Sequence, residues 1–139
     1  MKFKKIIALA ILCFLFLATS NYAQNKPYLF VFNSINYFAP ADGFSRSVNK
    51  TSYDKTEITI DFDTNKILLK TFYSEGPIEL IYTIKKTSEL QNDYTIGSYY
   101  IFTCLASNYA EAIFEVSKES KWIIRKITHN GIIHKYYNR

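Results

Sequence analysis

The sequence predicts an all-β domain, an antiparallel meander of about eight strands that forms an up-and-down barrel or a strongly curled sheet. Three observations predict this fold class. Apolar and polar residues alternate along most of the chain after residue 23, as in strands whose successive side chains point to opposite faces. Turn sequences separate these runs at intervals of about 8–12 residues. Connections this short make neighbouring strands antiparallel.

The first 23 residues have the pattern of a secretory signal peptide. Three lysines precede an uncharged apolar run of 13 residues from Ile6 to Ala18. A membrane-spanning helix needs ~20 such residues, so cleavage is favoured over anchoring. The predicted cut follows Ala23, with Ala18 and Ser20 as an alternative pair of small residues. We therefore expect export to the periplasm or the extracellular space, and a single β domain over residues 24–139 without a membrane span.

The charge and the cysteines narrow the class of protein further. Three of the 17 Lys and Arg residues lie in the leader, so 14 basic residues face 12 acidic ones and the mature chain carries only +2. Basic residues concentrate between Lys118 and Arg139. The mature chain keeps one cysteine, Cys104, so an internal disulfide is excluded and a packed core has to stabilise the domain. A lone cysteine of this kind is most often a small buried residue.

The clearest pattern is a hairpin from Thr56 to Tyr73. Ile58, Ile60 and Phe62 share one face, and a two-residue turn at Thr64-Asn65 is predicted because Asn tolerates positive φ. This turn pairs Asp63 with Lys66, Phe62 with Ile67, Ile60 with Leu69 and Ile58 with Thr71. A slip by one residue is disfavoured, because it would place Asp61 among the apolar side chains.

Strands are predicted on both sides of this hairpin. The first runs from Tyr28 to Asn33 and precedes a long irregular connection from Ala39 to Asp54, in which we expect a short helix or a ragged strand. The later strands, with the residues expected to face inward, are 78–85 (Ile78, Leu80, Tyr82, Ile84), 94–105 (Ile96, Ser98, Tyr100, Phe102, Cys104) and 110–116 (Ala110, Ala112, Phe114, Val116). Gly97 indicates a bulge or a bend.

The last predicted unit is a hairpin around His129-Asn130-Gly131, since Asn-Gly between strand-like runs is a strong turn signal. Two registers remain open. A two-residue turn pairs Lys126 with Lys135, whereas a turn with a glycine bulge pairs Arg125 with Lys135.

In strand count and order the chain resembles lipocalin-like barrels, and the resemblance is one of shape. The Gly-x-Trp motif of lipocalins is missing near the first strand, because the single tryptophan, Trp122, lies near the end. A barrel of this size is either filled with side chains or holds one small ligand. Twenty of the 116 mature residues are aromatic, and the first functional hypothesis is a binding module that holds a small apolar or aromatic ligand between the inner face of the sheet and the connection from Ala39 to Asp54. The predicted ligand-contacting residues are Tyr82, Tyr100, Phe102 and Phe114.

A second hypothesis is an interaction or inhibitor-type domain that contacts an acidic protein partner through its basic C-terminal hairpin. The predicted contact residues are Arg125, Lys126, His134 and Lys135. Nucleic acid is not expected as a partner of an exported protein.

No motif supports an enzyme, a metal or a cofactor. The string Asp61, Asp63, Asn65 begins like a calcium loop, but Lys66 replaces its glycine and Phe72 replaces its bidentate glutamate. The two histidines are not accompanied by the further ligands that zinc needs. Asp61 and Asp63 share a strand face that we expect to be solvated, where carboxylates stay ionised. No catalytic residue is therefore assigned.

Overall fold

The computed structural model describes residues 26–40, 44–47 and 53–139, and every regular element in this part of the chain is a β-strand. The strands are β1 (Tyr28–Phe32), β2 (Ser34–Ala39), β3 (Phe44–Ser47), β4 (Tyr53–Asp61), β5 (Lys66–Tyr73), β6 (Gly76–Thr87), β7 (Gln91–Asp93), β8 (Gly97–Ala106), β9 (Glu111–Ser117), β10 (Trp122–Ile127) and β11 (Ile133–Tyr137). The all-β prediction is confirmed. The predicted leader lies outside the described residues, which contain no helix of the length and apolarity needed to cross a membrane.

The strands form one antiparallel sheet in the order β1-β4-β5-β6-β8-β9-β10-β11-β2-β3, with β7 added beside β8. From β4 to β11 this order is the predicted meander. Hydrogen bonds between the described strands do not close the sheet into a ring. However, β1 and β2 lie far apart in the order and are separated in the chain by Asn33 alone. Since so short a link spans only a few ångströms, the sheet has to curl strongly, which is the second of the two predicted forms.

The C-terminus holds this junction in place. The backbone N–H of Asn33 donates to Oδ1 of Asn138 over 2.9 Å, and the Asn138 amide donates to the carbonyl of Val31 over 3.1 Å. The backbone N–H of Arg139 in turn donates to Oδ1 of Asn33 over 3.1 Å. The polar groups freed where β1 passes into β2 are thus satisfied by the end of the chain.

The connection predicted from Ala39 to Asp54 contains strand β3, so the ragged strand was the correct alternative in its described part. Residues 41–43 and 48–52 lie outside the described residues. β3 pairs with β2 while β4 pairs with β1. The described residues thus form eleven strands, more than the eight or so predicted, because β2, β3 and the short β7 lie in segments that the sequence pattern did not assign to regular strands.

The register predicted for the β4–β5 hairpin is wrong by two residues. Asp61 pairs with Lys66 and Ile60 with Ile67, which leaves a four-residue loop from Phe62 to Asn65. The Asp61 carboxylate accepts hydrogen bonds from the backbone N–H groups of Asp63 and Thr64, and this local turn ends the ladder early. Asn65 has a φ of 53°, as expected. A shift by two preserves the faces, so Ile60 stays inside, whereas Phe62 lies in the loop.

Both registers predicted for the β10–β11 hairpin are also wrong, because Arg125 pairs with His134. The loop is longer than either prediction. It is closed by a hydrogen bond from the N–H of Ile127 to the carbonyl of Ile132 over 2.8 Å, and by one from the N–H of Gly131 to the carbonyl of Ile127 over 2.9 Å. Gly131 has a φ of 68°, a backbone conformation that favours glycine.

One hydrophobic core fills the middle of the curled sheet. The predicted inward residues Ala112, Phe114 and Val116 are buried, and Cys104 is fully buried as a free thiol. The core consists of Phe32, Ile35, Ile58, Ile60, Ile67, Leu69, Tyr82, Ile84, Phe102, Cys104, Ala112, Phe114, Val116, Ile123 and Tyr136.

Some predicted inward positions are exposed. Ile78 and Leu80 were expected inside with Tyr82 and Ile84, yet both are exposed. The reason is strand overhang: β8 pairs with β6 only from Tyr82 onward, so the first half of β6 extends past its neighbour. Gly97, with a φ of 84°, begins β8 after the turn from β7 and accounts for the predicted bend.

Candidate functional site

The curled sheet is packed at its centre and has a pocket at each end. The first, the aromatic pocket, has a volume of about 370 Å³ and is lined by Tyr28, Phe30, Ile60, Phe62, Thr87, Ser88, Tyr100, Phe102, Val116, Ser117, Lys118 and Ser120. The second, the arginine pocket, has a volume of about 420 Å³ and is lined by Glu79, Leu80, Ile81, Tyr82, Ala106, Ser107, Asn108, Ala110, Glu111, Ala112, Arg125, Ile127 and His129. The fully buried Phe114 lies in the core between the strand ends that form them.

The aromatic pocket contains a row of rings that leads from the surface to the core. Tyr28 contacts Phe62 edge-on, with ring centroids 5.9 Å apart, and Phe62 contacts the buried Phe102 at 5.8 Å. Tyr28 is 57% exposed and Phe62 is 40% exposed. Phe62 reaches this position because the longer β4–β5 loop carries it off the strand. The pocket therefore presents partly uncovered aromatic faces next to buried ones.

Polar groups stand around these rings. The hydroxyls of Thr87, Ser88, Ser117 and Ser120 and the ammonium group of Lys118 belong to residues that line the same pocket. The Ser88 hydroxyl already accepts a hydrogen bond from the N–H of Ile101 over 3.0 Å. A few polar groups beside a mostly apolar lining are typical of small-molecule sites, where the polar groups orient the ligand.

The arginine pocket is organised by Arg125, which is only 6% exposed. One guanidinium nitrogen, Nη1, donates to the Tyr82 hydroxyl over 2.9 Å, and Nη2 lies 3.0 Å from Nδ1 of His134. The third nitrogen, Nε, is buried and has no hydrogen-bond partner. Among the described residues, no carboxylate forms an ion pair with Arg125. Within the described part of the chain, the groups that hydrogen-bond this buried positive charge are a phenol and an imidazole.

His134 is kept neutral in this environment. Burial, followed by the charge of Arg125, lowers the pKa of His134 from 6.5 to about 4. The ring packs edge-on against Tyr37, with centroids 5.3 Å apart, and parallel to Tyr136 at 6.3 Å. Near neutral pH the imidazole carries one proton, and the nitrogen that faces Arg125 accepts its hydrogen bond.

The structure places the four predicted ligand residues in different environments: Tyr82, Phe102 and Phe114 are buried, whereas Tyr100, which was expected to face inward, is exposed. Tyr100 and Phe102 line the aromatic pocket, and Tyr82 lines the arginine pocket. Phe114 lines neither pocket and packs against Tyr82, with ring centroids 5.0 Å apart. The four residues therefore do not surround one ligand.

The four predicted basic contact residues lie on two different faces. Arg125 and His134 occupy the inner face, whereas Lys126 and Lys135 lie on the other face of the same hairpin. Lys126 forms an ion pair with Glu115 on the neighbouring strand β9. The basic charge of this hairpin is thus divided between the interior and the outer surface.

Sequence reasoning missed that Arg125 is buried, although a signal was present. Arg125 alternates in phase with Ile123 and Ile127, and Ile123 is fully buried. The period of two in a strand places these three side chains on one face. Phe62 was missed as a pocket residue because its place depends on the length of the turn.

The described residues show no arrangement that favours catalysis. They contain no group of three or more His, Cys, Asp or Glu side chains that could hold a metal ion. A hydrogen bond from the Thr64 side chain, reinforced by backbone N–H groups, lowers the pKa of Asp61. A carboxylate stabilised in this way stays ionised near neutral pH and is a poor general acid.

Comparison of the chain with models of known protein families, with curated proteins and with solved structures found no match.

Proposed function

We propose that this protein is an exported, non-catalytic binding module that holds a small apolar or aromatic ligand in the aromatic pocket. The observation that supports this most directly is the row of rings from Tyr28 through Phe62 to Phe102. Large aromatic side chains are normally covered, and burying them stabilises by roughly 25 cal/mol per Å². Rings left partly uncovered around a concave site favour a ligand that covers them.

The size and the lining of the pocket suit a flat molecule. Its volume of about 370 Å³ is within the range of ligand pockets, roughly 300–1,000 Å³. Phe62 and Phe102 are inclined by 45°, so a planar ligand can stack on one ring and meet the edge of the other. The hydroxyls of Ser117 and Ser120 provide hydrogen bonds for one polar substituent.

A neutral fluorescent aromatic amine, N-phenyl-1-naphthylamine, tests this function. We expect its fluorescence to rise on binding, and its affinity to fall at least five-fold in Phe62→Ala and Tyr100→Ser, since each base or ring stacked on an aromatic side chain contributes ~1–3 kcal/mol. Tyr94→Ser is the matched control, because Tyr94 is fully exposed and does not line the pocket. Equal affinity in Phe62→Ala and Tyr94→Ser would contradict the proposal. If Phe62→Ala weakens binding and Tyr94→Ser does not, mass spectrometry of the small molecules that co-purify with the protein would identify the natural ligand.

The acidic-partner hypothesis is the second candidate, and its support is confined to Lys126 and Lys135 on the outer face. A pull-down that uses a Lys126→Glu, Lys135→Glu double variant tests it. Loss of an acidic partner that the unchanged protein captures supports this function. Equal capture by both proteins argues against it.

The proposal that the protein is exported rests on the signal-peptide pattern of residues 1–23. We expect the protein recovered from outside the cytoplasm to begin after Ala23. Intact-mass measurement on that protein decides it, because a chain that retains its first 23 residues would contradict cleavage.

A further inference from the structure

The arginine pocket contains a positive charge that the described residues leave uncompensated. Transfer of a charged group out of water is costly unless hydrogen bonds and an opposite charge replace its hydration. Arg125 is buried, its Nε has no hydrogen-bond partner, and its two other nitrogens meet a neutral phenol and a neutral imidazole. The missing component is an anion, and Arg125 lines a pocket of about 420 Å³ that can admit one.

Tyr82 is placed to assist in binding an anion. Its hydroxyl oxygen accepts the hydrogen bond from Arg125, so its own proton is available for a further acceptor. A carboxylate has two oxygens and can accept from a guanidinium and a phenol together. Tyr82 also packs edge-on against the fully buried Phe114, which fixes the ring.

The rest of the lining defines the class of anion. Among the described residues, Arg125 is the only Lys or Arg that lines the pocket, and Glu79 and Glu111 line it as well. Glu79 is paired with Lys70 over 2.6 Å. His129 also lines the pocket. The two carboxylates repel added negative charge, so they disfavour phosphate or any polyanion and limit the ligand to the single negative charge that Arg125 can balance. The remaining wall is largely aliphatic, with Leu80, Ile81 and Ile127, and suits a hydrocarbon body.

We propose that the arginine pocket binds a small organic monocarboxylate, whose carboxylate pairs with Arg125 and Tyr82 and whose hydrocarbon part lies against the aliphatic wall. This site is at the opposite end of the sheet from the aromatic pocket, and the two share no lining residue. It therefore goes beyond the proposed function, and each can fail without the other.

Titration with hexanoate, followed by NMR of ¹³C-labelled isoleucine methyl groups, tests the proposal on the whole protein. Ile81 and Ile127 report on the arginine pocket, and Ile60 reports on the aromatic pocket. We expect hexanoate to shift the Ile81 and Ile127 signals with saturation, and the neutral hexanamide to bind at least ten-fold more weakly. Inorganic phosphate at matched ionic strength should leave these signals in place.

Arg125→Met removes the charge while keeping a long apolar side chain, and we expect at least a ten-fold loss of hexanoate affinity. Lys126→Met is the matched control, since Lys126 is the next residue of the strand and faces the other way. Its hexanoate affinity should be unchanged.

The comparison of hexanoate with hexanamide needs no variant, so it decides the question even if Arg125→Met does not fold. The proposal is overturned if hexanamide binds as well as hexanoate, if hexanoate shifts only Ile60 or nothing, or if phosphate competes with it. Retained affinity in folded Arg125→Met would overturn it equally.

Discussion

Lowering the pH should destabilise the fold through His134, before any carboxylate contributes strongly. The pKa of His134 is about 4 in the folded protein, because the ring is largely buried and lies beside Arg125. In the unfolded chain it returns to 6.5. Between these two values the unfolded state binds a proton that the folded state does not. The free energy of unfolding therefore falls as the pH falls through this window.

The magnitude follows from the two pKa values. A difference between 6.5 and about 4 corresponds to about 3 kcal/mol, at 1.36 kcal/mol per pH unit. Because the ring keeps some contact with solvent, we expect the measured effect to be on the order of 2 kcal/mol. The loss should begin below about pH 7 and be nearly complete at about pH 4, with a flat profile above pH 7.

Urea unfolding at a series of pH values, with His134→Gln and His129→Gln beside the unchanged protein, measures this contribution. In His134→Gln the glutamine amide can accept a hydrogen bond from Arg125 but does not titrate. Between pH 7.5 and 4.5, the free energy of unfolding of this variant should therefore fall by on the order of 2 kcal/mol less than that of the unchanged protein. His129→Gln is the control, because His129 is exposed in the loop. Hydrogen bonds from Thr64 and Lys121 lower the pKa of Asp61 and of Glu119, respectively, so protonation of these carboxylates destabilises the fold only in stronger acid. This effect is the same in all three proteins and cancels in the comparison. Parallel profiles for His134→Gln and the unchanged protein would refute the reasoning.

Three further predictions concern the core, a turn and the thiol. Phe114→Ala should lower the free energy of unfolding, measured by urea titration, by about 3–5 kcal/mol, because it removes a fully buried ring that packs on Tyr82. A loss below about 1 kcal/mol would mean that the centre is not packed as described. Asn65→Gly should change stability by only a few tenths of a kcal/mol, whereas Asn65→Val should cost about 1–2 kcal/mol, because φ is 53° there; similar values for both would show that the loop adopts another conformation. In the mature protein, where Cys104 is the single cysteine, Ellman's reagent should modify it only after denaturation, because burial raises its pKa to about 12; fast modification of the native protein would exclude a buried thiol.

Which side chains face the core and which face solvent was largely predictable, because the side-chain direction in a strand repeats every two residues. Ile58 and Ile60 alternate with Glu57 and Asp61, and only the two isoleucines are buried. This rule uses local information alone. It held on the first half of β9, but Glu115 and Ser117 in the second half are buried although they alternate with Phe114 and Val116. It also failed on the first half of β6, where burial depends on where a neighbouring strand ends.

The registers were not predictable in the same way, because each depends on how many residues a turn contains. The carboxylate of Asp61 closes a turn two residues earlier than the Thr64-Asn65 pattern indicates. In the last hairpin, the closing pair is Ile127 with Ile132. The consequence for function is large, since these turns bring Phe62 to the aromatic pocket and place Arg125 opposite His134 on the inner face.

The packed centre also determines what kind of ligand this fold can hold. Phe114 and Cys104 are fully buried in the middle of the curled sheet, and the pockets at its two ends have no lining residue in common. A single elongated ligand through the whole interior would have to displace Phe114, at a cost comparable with the 3–5 kcal/mol assigned to deleting that ring. Two short ligands, one apolar and one anionic, avoid this cost. Binding of a ligand in one pocket should therefore leave the affinity of the other pocket unchanged. Coupling between the two would require one ligand to change the conformation of the other's pocket, and the packed centre separates them.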